Sequence, residues 1–110
     1  MEKVYNKLIR DNIPQIINKN NQIPVIRHLS DDEFKIALEK KLYEEYQEVI
    51  NASSEERPEE LADLLEVIIS LAKLENCNLE DIIQLADEKR KKRGGFEKHI
   101  LLERVIDRKN

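Results

Sequence analysis

Glycine is nearly absent from this chain: only two occur in 110 residues, and they are adjacent, Gly94 and Gly95. A loop that cradles phosphates on backbone amides needs several spaced glycines, so that route to nucleotide binding is closed. The single cysteine, Cys77, excludes an internal disulfide. No apolar run approaches the ~20 residues that span a bilayer, and nothing at the N-terminus reads as a signal peptide, so a soluble, cytoplasmic protein with no membrane partner is expected. Positive charge is in deficit as well. A net charge of −4 and a pI near 5.3 argue against a general nucleic-acid binder. There are no internal repeats or low-complexity tracts, and the length fits one domain, residues 1–110, with a modest core.

Four carboxylates are the most informative residues present. Wound at about 100° per residue, the stretch from Asp31 to Ala52 places Phe34, Leu38, Leu42 and Val49 on one helix stripe. Glu45 falls in the middle of that stripe, Glu48 on its border, and Lys41 inside it. The stretch from Pro58 to about Leu74 is apolar around most of its circumference, as in a central bundle helix, yet Glu60 aligns with Val67 and Leu71, with Asp63 beside it. A buried unpaired carboxylate costs several kcal/mol or becomes neutral, so this pattern calls for a metal, a cationic partner or a wet cavity.

If the two helices form an antiparallel hairpin, the pairs Glu45/Glu48 and Glu60/Asp63 meet at one level. Residues three apart share a helix face, so each helix offers two oxygen ligands. Such a site suits a hard cation, Mg²⁺ first and Mn²⁺ as a substitute. One such pair would be read as solvated glutamates in a chain with 38% charged residues. Two facing pairs on apolar helices are harder to read that way.

Local signals set the elements. A helix is expected from near Asn12 with Pro14 in its first turn, then a turn over Asn18 to Gln22. Ile23 to Leu29 reads as extended, a lone strand or arm, because β-branched residues follow Pro24. Ser30 with Glu33 forms a capping box, Ser53 to Arg57 a polar connection, and Asn78 with Asp81 caps a helix running to Arg93. The tail from Phe96 to Arg108 is expected either to form a short helix or to pack on a neighbour. His28, His99 and Cys77 lack zinc-ligand spacing, and Glu97-Lys98-His99 is not the Glu-x-x-His of carboxylate-bridged di-iron bundles.

The segments Leu42-Tyr43-Glu44-Glu45-Tyr46-Gln47-Glu48 and Glu59-Glu60-Leu61-Ala62-Asp63-Leu64-Leu65-Glu66 resemble the signature of the all-α nucleoside triphosphate pyrophosphohydrolases. That superfamily includes MazG, the dimeric dUTPases and the phosphoribosyl-ATP pyrophosphohydrolase of histidine biosynthesis. Tyr5 to Pro14 and Lys92-Arg93-Gly94-Gly95-Phe96 are similar to a small single-domain MazG-like subgroup, phosphoribosyl-ATP pyrophosphohydrolase-like. The resemblance implies an all-α fold in which a helical hairpin completes a four-helix bundle by oligomerisation, here with a short extended N-terminal arm. It implies hydrolysis of a nucleoside triphosphate between the α and β phosphates, with Glu45, Glu48, Glu60 and Asp63 as the Mg²⁺ ligands. Glu44, or a ligand such as Glu45, is the expected base for the attacking water. Nucleotide-pool house-cleaning ranks first as the role, the histidine-pathway enzyme second, and a non-catalytic helical nucleotide- or partner-binding module is the reading from another class.

A second apolar stripe, Ile36, Tyr43 and Ile50, lies opposite Glu45 on the same helix, which points to burial against another subunit, and the resemblance implies a homodimer or homotetramer. For the phosphates, Lys89 and Arg93 stand one turn apart in the run Lys89 to Arg93, where cations also favour the helix C-terminus. Lys7 and Arg10 are rival candidates, and Lys41 is best placed by helical geometry while also suited to neutralising Glu45. Tyr5 and Phe96 could stack on a base, although packing is the ordinary use of aromatics in a small protein.

Overall fold

The computed structural model describes residues 1–109, in which four helices form and no strand does. The first, α1 (Ile13–Lys19), carries proline in its opening turn, where the missing amide costs nothing. It ends in a Schellman turn: the Asn21 amide donates to the Asn18 carbonyl at 3.2 Å and the Gln22 amide to the Ile17 carbonyl at 3.3 Å. Asn21 holds the left-handed conformation, φ 59°. In a chain so poor in glycine, asparagine takes that position because its short amide tolerates positive φ.

The stretch after α1 is irregular rather than a strand. Ile23 to Leu29 has no partner strand among the described residues, and extended backbone without a ladder leaves its amides to water. Its side chains fix the end of the segment instead. Arg27 grips Glu33 through two hydrogen bonds, Nη2 to Oε2 at 2.9 Å and Nη1 to Oε1 at 3.3 Å.

Glu33 also closes the capping box that starts α2 (Asp31–Asn51). Its amide donates to Ser30 Oγ at 3.2 Å, and its carboxylate accepts from the Ser30 amide at 3.1 Å. Three acidic residues in the first turn, Asp31, Asp32 and Glu33, complement the helix dipole. The side-chain bond from Arg27, followed by the Ser30 amide, lowers the Glu33 pKa to about 2.

Ser53 organises the connection to α3 (Arg57–Leu74), its Oγ accepting from the Glu56 amide at 3.3 Å and its carbonyl from the Arg57 amide at 2.9 Å. The short connection and the meeting of Glu45 with Glu60 and Asp63 make α2 and α3 an antiparallel hairpin. The two helices pack on one another, burying Leu38, Val67 and Ala72. Asn76, φ 57°, terminates α3 as Asn21 does α1, with the Cys77 amide donating to the Ala72 carbonyl at 2.9 Å.

The chain divides into two compact units, Met1–Asn78 and Leu79–Asn110. The second contains α4 (Leu79–Arg93), acidic in its first turn and basic in its last, which stops where Gly94 takes φ 82°. Beyond it no tail helix forms within the described residues. Ile100, Leu101, Leu102, Val105 and Ile106 are all exposed, so the tail lacks the apolar contact that stabilises so short a helix. Among the described residues, no helix is long and apolar enough to cross a membrane.

Candidate metal centre

Helical spacing brings the carboxylates together. Leu38 and Glu45 on α2 are seven residues apart, as are Glu60 and Val67 on α3, so the surfaces that form the core also carry acids. Glu45 is buried, with 9% of its surface exposed, while Glu60 and Asp63 are half-buried. One carboxylate oxygen from each of the three lies within 4.8 Å of the others. Octahedral Mg²⁺ with bonds of about 2.1 Å places adjacent oxygens about 3.0 Å and opposing ones about 4.2 Å apart, so the three side chains would have to draw together to share an ion. The donors are all carboxylate oxygens, the chemistry that hard cations take, and they come from two packed helices.

Glu48 stands outside this trio. It is exposed on the next turn of α2, yet close enough to act on Glu60 electrostatically. The Glu60 pKa is raised, first by partial desolvation and then by Glu48, Asp63, Glu45 and Glu56. Two cations answer the four carboxylates. Lys41 Nζ lies 3.3 Å from Glu45 Oε1 and 3.8 Å from Glu44 Oε2, which ties the candidate base Glu44 into the same network. Arg10 Nη2 donates to Asp63 Oδ1 at 2.7 Å. Among the described residues neither Glu48 nor Glu60 forms an ion pair, so the cluster keeps an excess of negative charge.

That excess has a consequence for stability. The raised Glu60 pKa means that the folded state binds this proton more tightly than the unfolded chain does. Its effect on stability is therefore most favourable at low pH and declines as pH rises through the folded pKa. In EDTA, Glu60→Gln is expected to flatten the pH dependence of urea unfolding on that limb. An unchanged slope would show that folding does not raise the Glu60 pKa.

The remaining candidates are distributed otherwise. Lys7 Nζ lies 5.6 Å from the centre of the Tyr5 ring, with Lys3 Nζ at 5.1 Å, so that aromatic is capped by cations. Arg10, weighed on sequence as a phosphate ligand, donates a single hydrogen bond to the Asp63 carboxylate. In the second unit Lys89 and Arg93 line an open groove of about 790 Å³ with Arg90, Gly94, Gly95 and Phe96. Phe96 packs on little, being 96% exposed, and Arg90 is drawn to Asp87 at 2.7 Å. A Cβ at Gly95 would meet only the end of the flexible Glu97 side chain, which can swing aside.

No protein-family model matches the chain, and no solved structure does. An uncharacterised protein of Mycolicibacterium smegmatis is 51% identical over 43 residues, covering 39% of this chain and 44% of the relative. The match thus spans less than half the length of that curated relative.

Proposed function

We propose that this chain is a Mg²⁺-dependent nucleotide pyrophosphohydrolase acting as a homo-oligomer in the cytoplasm, with nucleotide-pool house-cleaning as its role. The observation that carries the proposal is the convergence of Glu45 with Glu60 and Asp63 across the hairpin. Glu45, Glu60 and Asp63 hold the cation, and Glu48 supports them from the adjoining turn. A hard divalent ion there supplies charge neutralisation for phosphate oxygens and a lowered pKa for bound water.

The chain's own groups do the remaining work. Lys41, held between Glu44 and Glu45, fixes both carboxylates and limits their mutual repulsion. Glu44 is the base: one carboxylate oxygen faces Lys41, and the group remains accessible enough to take a proton from the attacking water. Attack at the α phosphorus releases pyrophosphate and leaves a nucleoside monophosphate. Within the second unit, Lys89 and Arg93 line a groove beside exposed Phe96, positive charge and an aromatic face suited to a nucleotide.

Pyrophosphate and orthophosphate release, measured across canonical and modified nucleoside triphosphates and phosphoribosyl-ATP with Mg²⁺, Mn²⁺ or EDTA, tests this function. Metal-dependent pyrophosphate without orthophosphate is expected. Silence across the panel, with nucleotide binding retained, would identify a binding module instead.

A further inference from the structure

Arg10 reaches Asp63 across 53 positions of sequence, and the contact differs in kind from the one Lys41 makes. Lys41 is half-buried and shared between two carboxylates on its own helix, so it is locked in place. The Arg10 side chain is 57% exposed and makes one hydrogen bond rather than a two-pronged clasp. Its backbone, by contrast, is anchored. The Arg10 carbonyl accepts from the Ile13 amide at 3.1 Å, and the preceding Leu8 and Ile9 are half-buried. A guanidinium on a fixed base with a loosely held head can exchange partners without leaving the site.

We propose that Arg10 is an exchangeable counter-ion: its guanidinium neutralises Asp63 while the cluster lacks a divalent cation, and passes to a phosphate oxygen of the substrate once Asp63 is committed to the metal. The inference rests on the metal-centre function proposed above and deepens it. Guanidinium and dication repel each other across one carboxylate, so occupancy of the cluster weakens the Arg10 contact. The released group retains its five donors, whose planar geometry matches phosphate oxygens better than it serves a single carboxylate bond. The exchange also gives the negative excess at the cluster a use, since the protein carries one displaceable positive charge where a dication is to enter.

The two halves of this exchange predict opposite effects of one substitution. Titration calorimetry on the full chain with Mn²⁺, and then with pyrophosphate at saturating Mn²⁺, separates them for wild type, Arg10→Gln and Arg10→Lys. Arg10→Gln is expected to bind Mn²⁺ about two- to fivefold more tightly, as befits loss of an exposed competing ion pair. The same variant, loaded with Mn²⁺, is expected to bind pyrophosphate about tenfold more weakly. Arg10→Lys, which keeps the charge, should stay near wild type in Mn²⁺ affinity, and the gain in Arg10→Gln should shrink at high salt. A merely structural Arg10 would weaken both affinities, and that result overturns the proposal, as does unchanged binding of either ligand. Absence of Mn²⁺ binding in wild type and both variants is a separate outcome: it removes the metal centre itself, and the exchange with it.

Discussion

Glu45→Gln is expected to abolish metal-dependent turnover, a loss greater than the ~100-fold typical of groups that only support metal ligands, while helix content stays unchanged. The substitution keeps size and shape and removes one negative charge from the most buried member of the cluster. An amide in that position offers one weaker oxygen donor, and its nitrogen repels a cation. The fold should tolerate the change, because Lys41 retains Glu44 as a partner at 3.8 Å and no lone charge is left buried. Asp63→Asn should have a similar catalytic effect and also loosen Arg10, whose guanidinium bonds that carboxylate. Rates with saturating Mg²⁺, compared beside circular dichroism, decide the matter. A variant with near-full Mg²⁺-dependent activity would take that residue out of the site.

Glu45 was legible in the sequence because helical periodicity is local. Its distance of seven residues from Leu38 fixes its face whatever lies opposite, and the face proves buried. The same locality explains the helix ends: the Ser30 and Glu33 box sets the start of α2 at Asp31, as expected, and α2 ends at Asn51, one residue short of the expected Ala52. Where α3 was expected from Pro58 it begins at Arg57, again a difference of one residue. Long-range pairing carries no such signal. Nothing in the opening motif distinguishes an arginine bound for a phosphate from one bound for Asp63, because the two positions come together only after the hairpin forms. The stretch Ile23 to Leu29 shows the converse limit. Its β-branched residues express a preference for extended backbone, but a strand requires a partner, and composition cannot supply one. For Phe96 the ordinary expectation that an aromatic packs inside a small protein fails, since the Gly94 turn leaves the ring exposed.

The second large effect concerns the other face of α2. Ile36, Tyr43 and Ile50 recur every seven residues and are 66%, 60% and 57% exposed, with Tyr46 beside them. Opposite this stripe the hairpin fully covers only Leu38, Val67 and Ala72 among its apolar residues, a small core for a folding unit of this length. In the proposed homo-oligomer the uncovered side of α2 is the one a second copy would cover, since that copy offers the same seven-residue spacing. Tyr43→Asp therefore places a charge at the middle of the stripe, and in a two-fold interface places it twice. Desolvating an unpaired carboxylate there costs on the order of 3–5 kcal/mol, enough to weaken association more than a hundredfold. Tyr43→Phe retains the ring and loses only the hydroxyl that accepts from Gln47 Nε2 at 3.3 Å on the surface, so it should assemble as wild type does. Sedimentation equilibrium is expected to show wild type and Tyr43→Phe as oligomers and Tyr43→Asp as a monomer, with the cooperative thermal transition lost alongside the mass. A wild-type chain that sediments as a monomer and still melts cooperatively would show that the hairpin's few buried side chains are sufficient on their own.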